Sequence, residues 1–289
     1  PDAIVIANGA AALFGIALHA LEVERCVVPM PAFSEHRHAL ATAGAIHSGV
    51  PLDPTREFAL QPERIVAAIR ASDADACLVT NPHNPSGALT PRESMLQLAH
   101  DAKSLGTVTI VDEAFIDYAP EASVTRDAAA RDALVTIRSL TKFFAVPALR
   151  VGYAVCDPSL ARIMRRAIPS WPVTTLASRA VAVALDDAEF TSRTLVANER
   201  ERARLAARLA AIGLRANPSA TNFLLVSLPE DAPRAPELTQ RLVLQSQIVV
   251  RDCSSFEGLE AGDYIRVAVR AAAENERLVD ALARALGRC

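Results

Sequence analysis

The chain has 289 residues, of which 51% are apolar and 4% aromatic, and it carries a net charge of −3. This length allows a large core, either in one domain or in a large and a small one. The weak negative charge argues against binding to nucleic acid. No apolar run reaches the length of a transmembrane helix and no signal-peptide pattern is visible, so we expect no membrane partner.

The five cysteines are scattered and odd in number, and no Cys-x-x-Cys pair occurs. This pattern indicates neither a disulfide framework nor a zinc site. We therefore expect no metal and a reducing, cytoplasmic setting. The cysteines are Cys26, Cys77, Cys156, Cys253 and Cys289.

The first two predicted strands each lead into a candidate ligand contact. The chain begins at a proline and enters directly on the strand Ala3 to Ala7, so we expect that a segment of the protein precedes it. The turn Asn8-Gly9-Ala10-Ala11-Ala12 then opens a helix, whose free N–H groups and positive dipole end suit a phosphate. After the strand Cys26 to Pro29, Phe33 either packs in the core or offers a flat ring to a cofactor.

Polar residues follow the next two buried strands. The strand Ala76 to Thr80 runs into Asn81-Pro-His-Asn84-Pro-Ser-Gly87, whose two Asn-Pro pairs predict a rigid, non-helical loop. The strand Thr107 to Val111 ends at Asp112. An acidic residue there would lie at the carboxyl edge of a parallel sheet, where open α/β sheets bind their ligands.

A single lysine stands between two apolar segments in Ser139-Leu-Thr-Lys142-Phe-Phe-Ala-Val-Pro-Ala-Leu-Arg150-Val-Gly152. A hydroxyl lies three residues before Lys142 and an arginine eight residues after it. This spacing suits a lysine that holds an aldehyde cofactor, with Ser139 and Arg150 binding a phosphate. The alternative is a surface lysine in a turn between a strand and a loop.

Strands alternate with helices through the first part of the chain, which predicts an α/β fold with a mostly parallel sheet and helices on both faces. A long helical pattern from Pro172 to about Ile212 would cross between domains. After it, predicted strands and helices form a compact α+β unit. We expect a large domain over residues 1–195 and a small one over 196–289. The strands predicted in this unit are Ala220–Ser227, Ile248–Arg251 and Tyr264–Val269.

Four motifs together resemble the aminotransferase class I/II family, the fold-type I enzymes that use pyridoxal 5′-phosphate (PLP). They occur in the family's order and at its spacing, and the resemblance covers essentially the whole chain. The motifs are Asn81 to Gly87, Asp112-Glu-Ala-Phe115, Ser139-Leu-Thr-Lys142 and Arg150-Val-Gly152-Tyr.

The resemblance implies a role for each cofactor contact. Lys142 would bind the cofactor aldehyde and move a proton at the substrate α-carbon. Asp112 would keep the pyridinium nitrogen protonated, so that the ring accepts electrons. Asn84 would donate to the phenolic oxygen and Phe33 would stack on the ring. The remaining contacts would bind the phosphate: Ser139, Arg150 and the backbone of Gly9, Ala10 and Ala11.

The resemblance also implies a small phosphorylated amino-acid substrate held by two arginines. Arg266 matches the residue that binds the α-carboxylate, and Arg251 matches one that contacts the phosphate in histidinol-phosphate aminotransferases. The alternative for each is a solvated arginine on a strand. Asn84 would face the substrate as well as the cofactor, and Asn222 is more typical of a structural position.

One position departs from the family. Many members have a tyrosine three residues after the aspartate, where this chain has Phe115, which cannot donate a hydrogen bond to the phenolic oxygen. Tyr118 is close in sequence, and we interpret it as a packing residue.

Two subfamilies match, and the flanks of Lys142 favour threonine-phosphate decarboxylases of cobalamin biosynthesis over histidinol-phosphate aminotransferases. Three stretches carry this preference: Ser139 to Pro147, Asp112 to Asp117 and Arg251 to Leu259. Decarboxylation and transamination differ only in which α-carbon bond stands perpendicular to the ring, so both stay open, as does a non-catalytic relative with the same fold. The family also implies a homodimer.

Overall fold

The computed structural model of the chain describes residues 1–288. Its strands form a seven-stranded sheet and a four-stranded sheet. The strands of the first sheet are β1 (Ile4–Ala7), β2 (Arg25–Met30), β3 (Ile46–Pro51), β4 (Ala76–Thr80), β5 (Val108–Asp112), β6 (Leu134–Ser139) and β7 (Gly152–Val155). Those of the second are β8 (Arg215–Ala216), β9 (Phe223–Ser227), β10 (Arg251–Asp252) and β11 (Tyr264–Ala268).

Helices precede, follow and connect these strands. They are α1 (Ala10–Ala20), α2 (Ser34–Ala43), α3 (Pro62–Ser72), α4 (Arg92–Ser104), α5 (Thr125–Ala128), α6 (Leu140–Phe143), α7 (Pro158–Arg166), α8 (Thr175–Asp186), α9 (Ala188–Ala211), α10 (Ala235–Ser246) and α11 (Ala272–Ala285). Within residues 1–288, none of them combines the length and the apolar character that crossing a membrane requires.

The first sheet has the strand order β1-β7-β6-β5-β4-β2-β3. Neighbours from β6 to β3 pair in parallel, whereas β7 is antiparallel to both β1 and β6. The predicted α/β fold with a mostly parallel sheet is confirmed. Because β7 runs in the opposite direction, it starts at the edge where β4, β5 and β6 end. Arg150, just before β7, therefore lies at the same edge as Asp112 and Lys142.

Helices cover both faces of the first sheet. One face packs on α1, α2 and α7 through side chains that include Phe14, Leu40 and Met164. The other packs on α3 and α4 through residues such as Ile65 and Leu98. A separate core lies between the second sheet and the helices α9, α10 and α11. The two sheets thus have separate hydrophobic cores. The predicted domain boundary at residue 195, which falls within α9, stays a prediction.

Two details of the sequence-based assignment are wrong. The helical pattern from Pro172 to Ile212 forms two helices, because Asp187 interrupts it and its carboxylate caps α9 by accepting from the Phe190 N–H at 2.8 Å. The predicted strand Ile248–Arg251 is reduced to β10, since the Ile248 N–H closes the end of α10 by bonding to the Leu242 carbonyl.

Gly152 lets β7 meet the turn that opens α1. A Cβ atom added at Gly152 would lie 2.5 Å from the Ala10 nitrogen, 2.7 Å from the Gly9 carbonyl carbon and 2.9 Å from the Arg138 oxygen. All three are backbone atoms, which cannot rotate away as a side chain can. A side chain at this position would therefore separate β7 from the start of α1.

We predict that Gly152→Ala destabilises the protein by about 1–3 kcal/mol, because the backbone has to shift to admit the methyl group. Gly15→Ala is the matched control, since a Cβ atom there meets no atom within 4 Å. An alanine inside a helix is favoured by about 1 kcal/mol over glycine, so the control gains stability. Urea denaturation measures both. Equal stabilities for the two variants would contradict the close contact at Gly152.

Candidate active site

The strand ends of the first sheet surround a cavity of about 110 Å³. Ten of the predicted site residues line it: Ala10, Ala11, Phe33, Asn84, Asp112, Phe115, Ser139, Lys142, Arg150 and Arg266. Residues 84, 112 and 142 are far apart in sequence, and they meet because each lies at or after the carboxyl end of a parallel strand. Phe14, Ala114 and Thr141 complete the lining.

A larger, open cleft of about 910 Å³ adjoins this cavity and shares Phe115, Lys142 and Arg266 with it. Arg251 lines the cleft and not the cavity. Asn222, for which the sequence favoured a structural role, also lines the cleft. Lys142 thus stands where a bound cofactor and a substrate entering from solvent would meet.

The short helix α6 presents Lys142. Its N-cap is Ser139, whose hydroxyl lies 2.8 Å from the Thr141 hydroxyl and accepts a hydrogen bond from the Thr141 N–H. Burial lowers the pKa of the Lys142 ammonium below its ordinary value, and the positive charges of Arg150 and Arg266 lower it further. An amine with a lowered pKa is a better nucleophile toward an aldehyde near neutral pH.

Asp112 is the last residue of β5 and is 3% exposed. Its Oδ2 lies 2.9 Å from His36 Nε2, and its Oδ1 accepts a hydrogen bond from the Ala114 N–H at 3.0 Å. The His36 ring is buried, edge-on to Phe14 and Phe33. A carboxylate fixed in this way is well placed to accept a hydrogen bond from a protonated ring nitrogen.

His36 is a site residue that sequence reasoning missed. Its only signal is its position three residues after Phe33, the residue that caps the start of α2. The contact with Asp112 joins residues 76 positions apart, and no local pattern predicts it.

The loop between Asn81 and Gly87 is held by side-chain hydrogen bonds. The Asn81 amide bonds to both the N–H and the carbonyl of Thr90, at 2.9 and 3.0 Å. His83 lies 2.6 Å from the Ser86 hydroxyl and 2.8 Å from the Pro31 carbonyl. Burial lowers the pKa of His83 to about 4, so its ring is neutral at physiological pH. This framework fixes the position of Asn84.

The side-chain amide of Asn84 uses its oxygen in a hydrogen bond and leaves its nitrogen without one. Its Oδ1 accepts a hydrogen bond from Arg266. Its Nδ2 makes no hydrogen bond to residues 1–288, although Asn84 is only 5% exposed. Asn84 lines the cavity, and the phenolic oxygen of the expected cofactor would supply this amide donor with an acceptor.

The opposite end of the cavity suits a phosphate. Gly9, with a φ of +85°, turns the chain into α1, and a Cβ atom there would lie 2.8 Å from Arg150 Nη2. The N–H groups of the first turn of α1 have no partner within the helix. Arg150 forms no salt bridge with a carboxylate in the described part of the chain, and Ser139 adds a hydroxyl. This donor set fits the phosphate of PLP.

Phe115 and Tyr118 lie in different surroundings. Phe115 is buried in the cavity wall, edge-on to Phe223 at a centroid distance of 5.0 Å. Tyr118 packs on Phe143 at 5.0 Å, and burial raises the pKa of its phenol to about 12.

Over residues 1–288, the His, Cys, Asp and Glu side chains form no group of three or more that could hold a metal ion.

The lysine, the buried carboxylate, the amide donor and the groups at the start of α1 form a set that fits PLP. The family model of aminotransferase class I and II matches residues 1–285. The chain belongs to this family and is a PLP-dependent enzyme.

Known relatives include both a decarboxylase and aminotransferases. The chain is 34% identical to the threonine-phosphate decarboxylase of Salmonella typhimurium, over 96% of this chain and 76% of that one. It is 28% identical to the histidinol-phosphate aminotransferase of Methanocaldococcus jannaschii, over 90% and 68%. Among solved structures, the histidinol-phosphate aminotransferase of Clostridium acetobutylicum superposes with a TM-score of 0.91 at 26% identity, covering 99% of this chain and 84% of that one.

We predict that His36→Phe lowers the affinity for PLP. The ring stays between Phe14 and Phe33, but the buried Asp112 carboxylate loses its partner, which costs about 1–3 kcal/mol of stability as well. His38→Phe is the control, since His38 is exposed on the same helix. Absorbance titration with PLP and urea denaturation measure the two effects. Equal values for both variants would show that the contact between His36 and Asp112 contributes nothing.

We predict that Lys142 reacts with acetic anhydride, in protein freed of cofactor, with a midpoint below the ordinary lysine pKa of 10.5. A lowered pKa means that the unprotonated amine is populated at lower pH. Peptide mass spectrometry over a pH series measures the rate, with Lys103, the only other lysine in the sequence, as the reference for reagent decay. Arg150→Met raises the midpoint. A midpoint at or above 10.5 would contradict the lowered pKa.

Proposed function

We propose that the chain decarboxylates L-threonine O-3-phosphate to (R)-1-amino-2-propanol O-2-phosphate, a step of cobalamin biosynthesis. The observation that carries this proposal is the position of two arginines. Arg251 on β10 and Arg266 on β11 are directly opposite each other in the second sheet, and both line the cleft beside Lys142. Neither forms a salt bridge with a carboxylate of residues 1–288.

Two adjacent, uncompensated cations suit a small substrate with two anionic groups close together. Threonine phosphate has a carboxylate on its α-carbon and a phosphate on the neighbouring carbon's oxygen. Histidinol phosphate has a phosphate but no carboxylate, so in its own half of a transamination it would pair with only one of the two arginines. The higher identity to a threonine-phosphate decarboxylase supports the same choice.

PLP, when bound, draws electrons from the bonds of the substrate α-carbon. We assign Arg266 to the carboxylate and Arg251 to the phosphate, so that together they set which α-carbon bond stands perpendicular to the cofactor ring. In a decarboxylation the bond from the α-carbon to the carboxylate breaks and carbon dioxide leaves. The Lys142 ammonium then returns a proton to the α-carbon.

We infer that the enzyme works as a homodimer, as the family resemblance implies, and in the cytoplasm, as the scattered cysteines indicate. The apolar side chains of Leu176 and Val183 on α8 are 72% and 73% exposed, and Trp171 just before it is 93% exposed. Such an exposed apolar face supports an interface with a second copy. Light scattering of the native protein tests this state.

A second candidate function is transamination of histidinol phosphate. It is favoured by the TM-score of 0.91 to an aminotransferase of that specificity. The same lysine can move a proton in either reaction, so the catalytic groups do not separate the two activities.

We predict that the PLP-loaded protein releases carbon dioxide from threonine phosphate without any 2-oxo acid. Carbon dioxide and aminopropanol phosphate are measured together, and they appear in equal amounts. Lys142→Ala abolishes both, because no amine remains to return the proton. Lys103→Ala, the matched control, retains activity.

Other outcomes of this assay lead to different conclusions. Formation of glutamate from histidinol phosphate and 2-oxoglutarate, with no carbon dioxide from threonine phosphate, would assign the aminotransferase activity instead. Full turnover in Lys142→Ala would overturn the role of the lysine. The absence of both activities in protein that binds PLP would favour a non-catalytic relative.

A further inference from the structure

The two arginines of the cleft are held by neutral groups. The Arg266 guanidinium lies 4.7 Å from the centre of the Phe223 ring and donates to Asn84 Oδ1. The Arg251 guanidinium lies 5.6 Å from the centre of the Phe256 ring and donates to the Ser255 hydroxyl at 2.9 Å. Each arginine thus has one aromatic face and one uncharged hydrogen-bond acceptor.

Several arginines elsewhere in the chain are held by carboxylates. Arg138 pairs with Asp117 and lies near Glu113, and Arg204 and Arg208 share Glu276. A carboxylate orients an arginine but also neutralises it. An aromatic ring attracts the cation through its quadrupole and leaves the net charge in place for a ligand.

The two arginines lie where their like charges repel, so contact with an aromatic ring helps to hold each of them. They are cross-strand neighbours between β10 and β11, and like charges directly opposite each other destabilise an antiparallel pair. Burial lowers the pKa of Arg266, and the charge of Arg251 acts in the same direction. Contact with a ring face offsets part of this cost without using up the charge.

Both rings are fixed by their own packing. Phe223, at the start of β9, is 4% exposed and stands edge-on to Phe115. Phe256 is 6% exposed and belongs to a buried cluster with Leu225 and Cys253. A ring that cannot move confines the long, flexible arginine above it to one orientation, which reduces the entropy lost when a ligand binds.

We propose that Phe223 and Phe256 are positioning residues, each of which holds one arginine of the cleft in place without neutralising it. Phe223 thereby sets the affinity for the group that Arg266 binds, and Phe256 sets the affinity for the group that Arg251 binds. The proposal rests on the proposed function only where it assigns the carboxylate to Arg266 and the phosphate to Arg251.

The test uses ligands without an amine, so that no reaction with the cofactor occurs. Glycerate carries only a carboxylate, glycerol 3-phosphate carries only a phosphate, and 3-phosphoglycerate carries both. Their binding to the PLP-loaded protein is measured by calorimetry for the parent and for Phe223→Leu and Phe256→Leu. Leucine retains most of the apolar volume but has no ring face.

The expected result is selective. Phe223→Leu weakens glycerate about three- to tenfold and leaves glycerol 3-phosphate unchanged, while Phe256→Leu does the reverse. The ligand with both groups is weakened by either variant. Equal losses for all three ligands would reduce the rings to a structural role. A reversed pattern would overturn the assignment of the carboxylate to Arg266 and of the phosphate to Arg251.

Replacement of each phenylalanine by 3,4,5-trifluorophenylalanine guards against misfolding of the leucine variants. The fluorinated ring keeps the shape but weakens the attraction to a cation, so it gives the same selective loss at smaller size. Unchanged binding to the fluorinated protein would overturn the proposal. Because these measurements need no turnover, they are independent of the decarboxylation assay. If decarboxylation fails but binding is selective, only the proposed substrate has to be revised, and the role of the two rings stands.

Discussion

The contact between β7 and the turn that opens α1 is the constraint on which the site depends. β7 is the strand that runs against its neighbours in the first sheet, and Gly152 allows its backbone to touch Gly9 and Ala10. This contact brings Arg150 to the start of α1, opposite the ends of β5 and β6. The helix N-terminus, the arginine and Ser139 then lie together as one set of phosphate donors. If a cofactor phosphate binds there, its position sets where the cofactor ring would lie relative to Asp112 and Lys142.

The two halves of the site carry opposite charges. Where the cofactor ring would lie, the Asp112 carboxylate is fixed by His36 and a backbone N–H. Where the substrate would lie, Arg251 and Arg266 have no carboxylate partner among residues 1–288. The first arrangement retains a negative charge for a ring nitrogen, and the second retains positive charge for an anionic substrate. Lys142 stands between them, with its pKa lowered by burial and by the neighbouring arginines.

Much of this site follows from the sequence, because its residues come directly after strands. Asn84, Asp112 and Lys142 each follow a strong apolar run, and parallel pairing brings such positions together. The contact of His36 with Asp112 could not be predicted, since it depends on how α2 packs against the sheet. The break at Asp187 was also missed, because a capping carboxylate resembles any other polar residue within an alanine-rich helix. The opposition of Arg251 and Arg266 required the register of the second sheet, which apolar patterning alone does not fix.

The scarcity of lysine has a consequence for chemical selectivity. Lys103 and Lys142 are the only two lysines, and arginine supplies the remaining basic side chains. A guanidinium does not condense with an aldehyde under conditions in which an amine does. Lys103 is engaged with Asp132 in an ion pair at 2.5 Å, outside the cavity. Free PLP that meets this protein therefore finds only one side-chain amine besides Lys142, and the chain's own composition limits side reactions of the aldehyde.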